Sequence, residues 1–285
     1  MWLPPAEVEL KLGKNRGSTL LKQLGKAPEY VFRLIERFQI RCEARRTATI
    51  HAAYASTGFK DLERRARTWQ SLGAPVELLS KDEAAKKIGT SIFHRGLLGH
   101  RAGPIDPMSY ARGLARAAKS AGAYISAGVK VKKLSRNGDN WRLTTNKGVV
   151  KADTIVLGTD GYTDNLWPGL KNTFVPINYF QLATEPMEQH VESILPGGQG
   201  LWDTGRIMFS LRRDNFNRLI IGSMGTLLGG SRGLSERWAA QMLKRLFPNL
   251  GPCKFKTSWF GKIAIPPDHL PRFHRFSEGL YTPIG

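Results

Sequence analysis

Ile155-Val156-Leu157, followed at once by Gly158-Thr159-Asp160-Gly161, constrains this chain more than any other stretch. Three apolar residues, two of them β-branched, bounded by turn formers, are too few for a helix core. They fit a strand buried on both faces. The expectation is a central parallel strand that stops at Gly158, with Val131 in a neighbouring three-stranded piece. In open α/β sheets, ligands bind beyond the carboxyl ends of the strands, and glycine there admits close backbone approach. A buried strand with a tight turn and no ligand satisfies the same residues, so the flanking segments have to decide.

Before this stretch the pattern alternates helix and strand. Val31, Leu34, Ile35 and Phe38 form one apolar stripe, and Pro28 suits the first turn of the helix that carries it. Residues 41–53 read as irregular and β-like. Residues 59–72 read as a charged helix closed by Gly73, and 76–79 as a short strand. Ser80 and Glu83 are spaced as a capping box for a helix ending near Gly89. Residues 92–103 read as a loop whose His94 and His100, six apart, share no helical face; metal binding is not expected there. Asp106 caps a helix opened by Pro107. Asn137-Gly138 marks a hairpin between the strand around Val131 and the return from Trp141.

After Gly161 the pattern changes. Strand-like runs at 178–184, 206–211, 218–223 and 254–265, broken by one helix at 235–246, predict a largely antiparallel sheet. The fold class is therefore α/β in its first half and α+β taken whole.

Several segments recur in a telling order: Gly103-Pro104-Ile105-Asp106-Pro107, the Ala-rich helix after it, the strand at Val129–Leu134, Gly158–Gly161, Trp259-Phe260-Gly261, Pro267-Asp268-His269-Leu270-Pro271, and Gly279–Gly285. In this order and spacing the chain resembles the FAD-dependent oxidoreductases of the D-amino-acid oxidase superfamily, most of all their gamma-glutamylputrescine oxidoreductase-like branch. The resemblance implies oxidation of a C–N bond in a small amine or amino acid, a polyamine derivative among the candidates. Electrons would pass to FAD and then to oxygen or another acceptor. It implies a FAD-binding portion at 1–172 with a helical insertion, a substrate-binding sheet at 173–265, and a return to the FAD-binding portion at 266–285. By position it assigns Val131 to backbone contacts with the adenine, and Gly158, Thr159, Asp160 and Gly161 to the nucleotide. It brings Gly261 and Gly285 to the flavin side. Gly261 has no side chain to tether FAD, so any flavin is expected to be non-covalent. Asp160 serves equally well as a plain turn carboxylate. No catalytic base is named; His269 is the one histidine in a suitable segment, and a supporting role suits it better.

The family's opening Gly-x-Gly-x-x-Gly, which places a pyrophosphate at a helix N-terminus, occurs nowhere in the 285 residues. The expectation is an internal piece of such an enzyme, its FAD-binding portion lacking the first βαβ unit and its C-terminus cut. Such a piece binds FAD weakly or not at all on its own, and a catalytically inactive fragment stays open as an alternative.

Composition adds two bounds. With 43 Lys and Arg against 23 Asp and Glu, the formal charge is +20, which attracts polyanions and keeps a nucleic-acid-associated protein open as a second alternative. The basic residues are scattered pairs such as Arg45-Arg46 and Lys132-Lys133, without a zinc-finger or RNA-binding signature, so no specific nucleic acid is expected. No apolar run is long enough for a membrane span, and two cysteines without ligand spacing read as reduced thiols in a cytoplasmic protein. The oligomeric state is not legible.

Overall fold

A computed structural model describes residues 3–188, 190–226 and 233–285. The chain divides into two compact units, each made of separated segments. The first holds residues 3–121 and 179–260, the second residues 122–178 and 261–285.

The first unit opens with helices α1 (Pro5–Leu12) and α2 (Lys14–Arg37). Pro28 lies inside α2 instead of opening a new helix. The apolar stripe runs unbroken past it, with Leu21, Phe32 and Ile35 all buried. Burial of that face outweighs the one backbone bond that the proline cannot donate. Next come β1 (Thr49–Ala53), α3 (Ser56–Ser71), β2 (Val76–Leu79), α4 (Lys81–Ile88) and β3 (Arg95–Gly99). The Ser80–Glu83 capping box forms in both directions, and Gly89 closes α4 in the left-handed conformation. Helix α5 (Pro107–Ser120) starts with the Asp106 carboxylate accepting the Ser109 N–H at 2.8 Å.

An eight-stranded sheet follows the order β12-β8-β11-β10-β9-β1-β3-β2, where β8 is Val175–Thr184, β9 Gly200–Asp203, β10 Phe209–Arg213, β11 Leu219–Met224 and β12 Phe255–Ile265. Residues 179–184 of β8 and 255–260 of β12 belong to this unit. The antiparallel run expected after residue 173 is present in β8, β9, β10 and β11, and three strands from residues 49–99 extend it through a parallel β1–β9 pair. Two of those strands correct the sequence reading. Residues 95–99 are a strand, not part of a loop, because Gly96 to Leu98 are buried between β1 and β2. Residues 200–203 are a strand although four residues show little periodicity. One face of the sheet is the main core, with Ile50, Leu98, Leu182, Leu201, Phe209, Leu211 and Ile221 packed against Leu243 and Leu246 of α6 (Leu234–Leu246).

The second unit holds two three-stranded sheets. One is the meander β4 (Val131–Asn137), β5 (Asn140–Thr145) and β6 (Gly148–Ala152), turned by Gly138 at φ 60°. The other has the order β13-β14-β7, with β13 Arg272–Ser277, β14 Leu280–Ile284 and β7 Ile155–Val156. Trp141 sits in their shared core with Ile155, Leu157, Leu280 and Ile284, and its indole N–H donates to the Glu278 carbonyl at 3.1 Å.

Here the leading sequence expectation needs correction. Strand β7 is parallel, pairing Ile155 with Leu280 and Val156 with Tyr281, but it lies at the sheet edge. Ile155 and Leu157 are buried, at 6 % and 8 % exposure, while Val156 is 63 % exposed. A strand alternates its faces. With only one face covered, the middle residue of an apolar triplet points outward.

Candidate functional site

Most residues singled out by sequence meet at the end of β7. The chain turns through a 3₁₀ turn, Asp160–Tyr162. Asp160 has φ 39°, a left-handed conformation that non-glycine residues adopt rarely. Its two carboxylate oxygens accept long hydrogen bonds from the Ala264 and Gly285 N–H groups, both at 3.4 Å. Gly161 is buried, and a Cβ there would lie 2.6 Å from the Lys262 carbonyl oxygen. Only glycine lets the turn pack so tightly on the end of β12. The Tyr162 hydroxyl accepts the Lys262 N–H at 3.2 Å and lies 3.2 Å from where a Cβ of Gly261 would sit. Asp160, Gly161, Gly261 and Gly285 are thus drawn into one assembly whose polar groups satisfy each other.

Gly158 and Thr159 differ. Both are exposed, and nothing stands within 4 Å of a Cβ built on Gly158. The Thr159 hydroxyl contacts that of Thr163 at 2.7 Å. Val131 lies in the meander of the same unit, where the pairing with β5 shifts register between Val131 and Lys133. Gly158 and Thr159 are thus left open, and the backbone at Val131 departs from regular pairing. Asp160 and Gly161 are already engaged within the chain. His269, at φ 59°, donates its backbone N–H to the Pro266 carbonyl at 2.9 Å, and the Asp268 carboxylate binds Arg272.

A second set of residues, in the first unit, went unnoticed in the sequence. Strand register aligns Leu97, His51, Trp202, Ser210, Gly222 and Gln181 in one row across six strands, on the face opposite the main core. His51 stacks on Trp202 with ring centroids 5.4 Å apart. The Ser210 hydroxyl oxygen receives the Tyr179 hydroxyl at 3.1 Å and the Gln181 amide at 3.2 Å. Gly222 makes room for that amide: a Cβ there would stand 2.6 Å from Gln181 Nε2 and 2.3 Å from the Phe180 carbonyl. Arg212 is two residues along from Ser210 and therefore on the same face. Burial pushes the Tyr179 hydroxyl up, so it stays protonated and donates. Burial, aided by the positive charge of Arg65, lowers His51 to about 4 and keeps it neutral near pH 7. The missed signal was alternation: Tyr179 and Gln181 alternate with Phe180 and Leu182, and Ser210 and Arg212 with Phe209 and Leu211.

Among the described residues there is no cluster of His, Cys, Asp or Glu that could hold a metal, no helix long and apolar enough to cross a membrane, and both Cys42 and Cys253 are free.

The comparisons with known proteins bear on family and fold. Residues 7–283 match the profile of the FAD dependent oxidoreductase family, DAO. The chain is 28 % identical over 284 residues to the protein described as probable oxidoreductase OrdL from Rhizobium meliloti (strain 1021), which covers 97 % of the chain and 64 % of that relative. It is 24 % identical over 279 residues to gamma-glutamylputrescine oxidoreductase from Escherichia coli (strain K12), covering 96 % of the chain and 65 % of the relative. It therefore spans about two thirds of the length of these curated relatives. Glycine oxidase from Geobacillus kaustophilus superposes with a TM-score of 0.75 at 21 % identity, covering 93 % of this chain and 72 % of that one. L-proline dehydrogenase from P. horikoshii superposes with 0.76 at 19 % identity, covering 92 % and 72 %. These two likenesses speak for the fold, and the match along nearly the whole sequence speaks for descent: the chain belongs to the family of FAD dependent oxidoreductases.

Proposed function

We propose that this chain serves in the flavin-dependent oxidation of a C–N bond in a small amine or amino acid. The family match over residues 7–283 carries the reading. Relatives named for gamma-glutamylputrescine, glycine and L-proline suggest the substrates to try. Bound FAD would supply the electron acceptor, with oxygen or another acceptor downstream. The chain's own residues divide the remaining work. In the second unit, the Val131 backbone, Gly158 and Thr159 would meet the nucleotide, while Asp160, Gly161, Gly261 and Gly285 hold the turn in shape. In the first unit, the polar face bearing Tyr179, Gln181, Ser210, Arg212 and His51 would receive and orient the substrate. By this reading the first unit, which holds residues 179–260 of the expected substrate-binding stretch, supplies most of the substrate-binding portion. The second unit, residues 122–178 and 261–285, supplies the FAD-binding portion.

Flavin attachment would be non-covalent, since Gly261 has no side chain and Tyr162 occupies the space beside it. Two free thiols favour a cytoplasmic setting. Affinity for FAD would be low, because the sequence has no Gly-x-Gly-x-x-Gly loop to bind the two phosphates.

Anaerobic mixing with excess FAD tests the activity. The chain is combined in turn with gamma-glutamylputrescine, putrescine, glycine and L-proline, and the visible absorbance of oxidised flavin is followed. Bleaching that needs both chain and amine supports the reading. FAD binding without bleaching by any amine would reduce the chain to an inactive relative.

A further inference from the structure

Helix α2 buries one face and lines the opposite one with cations. Gly17, Leu21, Phe32 and Ile35 are buried. Lys22, Lys26, Arg33 and Arg37 are exposed and follow one another at four, seven and four residues, which puts all four on a single stripe. The helix runs unbroken from Lys14 to Arg37, so at about 1.5 Å per residue the stripe is about 22 Å long. Tyr30 stands beside the stripe between the two pairs of cations. It is 57 % exposed, and the Arg33 guanidinium carbon lies 5.8 Å from its ring centroid.

No carboxylate answers these charges. Among the described residues none of the four cations forms an ion pair. The two acids of α2, Glu29 and Glu36, both reach Arg46 instead, at 3.5 and 3.0 Å. Lys22 and Lys26, and again Arg33 and Arg37, are like charges four residues apart, which oppose each other and weaken a helix. A polyanion laid along the stripe relieves both pairs. A lipid surface suits the stripe less well. The apolar face of α2 is already buried within its own unit, and Tyr30 is the one large ring left among these cations to enter a bilayer. A strand of nucleic acid supplies what the stripe can use. Its phosphates recur every ~3.4 Å along one strand, roughly six over the length of the stripe. Its unpaired bases can stack on an exposed tyrosine.

We infer that the face of α2 bearing Lys22, Lys26, Tyr30, Arg33 and Arg37 is a docking surface for single-stranded nucleic acid, held through its phosphates and without sequence preference. The chain has no base-reading motif, and phosphate contacts need none. The surface lies outside the groups assigned to flavin and amine, and neither reading depends on the other.

The test follows binding of the full chain to a labelled oligothymidylate by fluorescence anisotropy between about 50 and 200 mM salt. Four phosphate contacts predict a slope of log K against log salt of about −3. Lys26→Gln and Arg33→Gln should each reduce its magnitude by about 0.7. Lys60→Gln, which removes an exposed cation of α3, should leave it unchanged. Tyr30→Ala should weaken the oligothymidylate by about tenfold or more and leave an abasic strand of equal length unaffected. Glutamine and alanine are good helix formers at exposed positions, so α2 is kept in these variants. A wild-type slope shallower than about −1 overturns the inference without recourse to any variant. So does a Lys60→Gln effect equal to that of Lys26→Gln, which would mean that only the overall charge binds. Equal losses on the two strands with Tyr30→Ala, or none on either, overturn the assignment to unpaired bases. Vesicles of phosphatidylserine and phosphatidylcholine that hold the chain as tightly as the oligothymidylate, and lose it with Lys26→Gln, would make the face a membrane contact instead.

Discussion

The turn at Gly158–Gly161 and the polar row across the large sheet are built on opposite plans. In the turn, the groups a ligand would seek are mostly used. Asp160 ties down Ala264 and Gly285, Gly161 packs on the Lys262 carbonyl, and only Gly158 and Thr159 face outward without obstruction. In the row, the groups are arranged but not exhausted: Gln181 keeps its carbonyl and Arg212 its whole guanidinium. A self-satisfied turn offers shape and backbone to a ligand. A row with donors to spare offers chemistry. The first suits a cofactor edge held by close approach, and the second suits recognition of a polar substrate.

The largest expected effect lies in the row. His51 is held near pKa 4 by burial, against 6.5 unfolded. Between those values the unfolded chain binds a proton that the folded one does not. The stability this gives is complete above about pH 6.5 and is lost as pH falls towards 4. The loss should be on the order of 3 kcal/mol. Denaturant melts of wild type and His51→Gln across that range should show the extra slope in the wild type alone; parallel curves would mean that His51 is not desolvated.

The two glycines come next, one in each region. Gly222→Ala forces a Cβ into the Phe180 carbonyl and the Gln181 amide, and Gly161→Ala forces one into the Lys262 carbonyl. Each should cost about 1–3 kcal/mol. The signatures should separate: amide shifts spread from residues 180–181 for the first, and from 262–264 for the second. If either change disturbed only the other region, the division of the molecule drawn here would be wrong.

A smaller effect is expected at Asp160. Its bonds to Ala264 and Gly285 are long and exposed, so Asp160→Ala should cost about 1 kcal/mol in a thermal melt. A cost several times larger would mean that the carboxylate does more than latch the turn. The smallest concerns Val156. At 63 % exposure on an edge strand, Val156→Thr should change stability by no more than about 0.5 kcal/mol. A loss like that of a buried valine would restore the central strand that the sequence suggested.

How legible each region was follows from how its contacts are made. The turn is local: a short apolar run, two glycines and an aspartate within seven residues announce it. Whether β7 was central or marginal was not local, because that depends on which strands pair with it. Three consecutive apolar residues look alike whether one face or two are covered. Caps were equally readable, since Ser80–Glu83 and Asp106–Pro107 act within four residues. Pro28 misled because the rule that proline starts a helix ignores the burial of Phe32 and Ile35 beyond it. The row was the hardest to see. It brings His51 beside Trp202 through a parallel pair of strands about 150 residues apart, and no window along the sequence contains both. Only the alternation within β8 and β10 was visible, and alone it describes any half-exposed strand.

The central claim is that the cofactor is met by the turn and the meander of one unit, and the substrate by the sheet face of the other. A backbone amide shift map of the whole chain, recorded first with FAD to saturation and then separately with glycine, tests it most directly and tolerates weak binding. The predicted result is two disjoint sets: residues around 131 and 156–159 moving with FAD, and residues 179–181, 202 and 210–212 moving with glycine. FAD shifts confined to the sheet face, or glycine shifts confined to the Gly158 turn, would contradict the account.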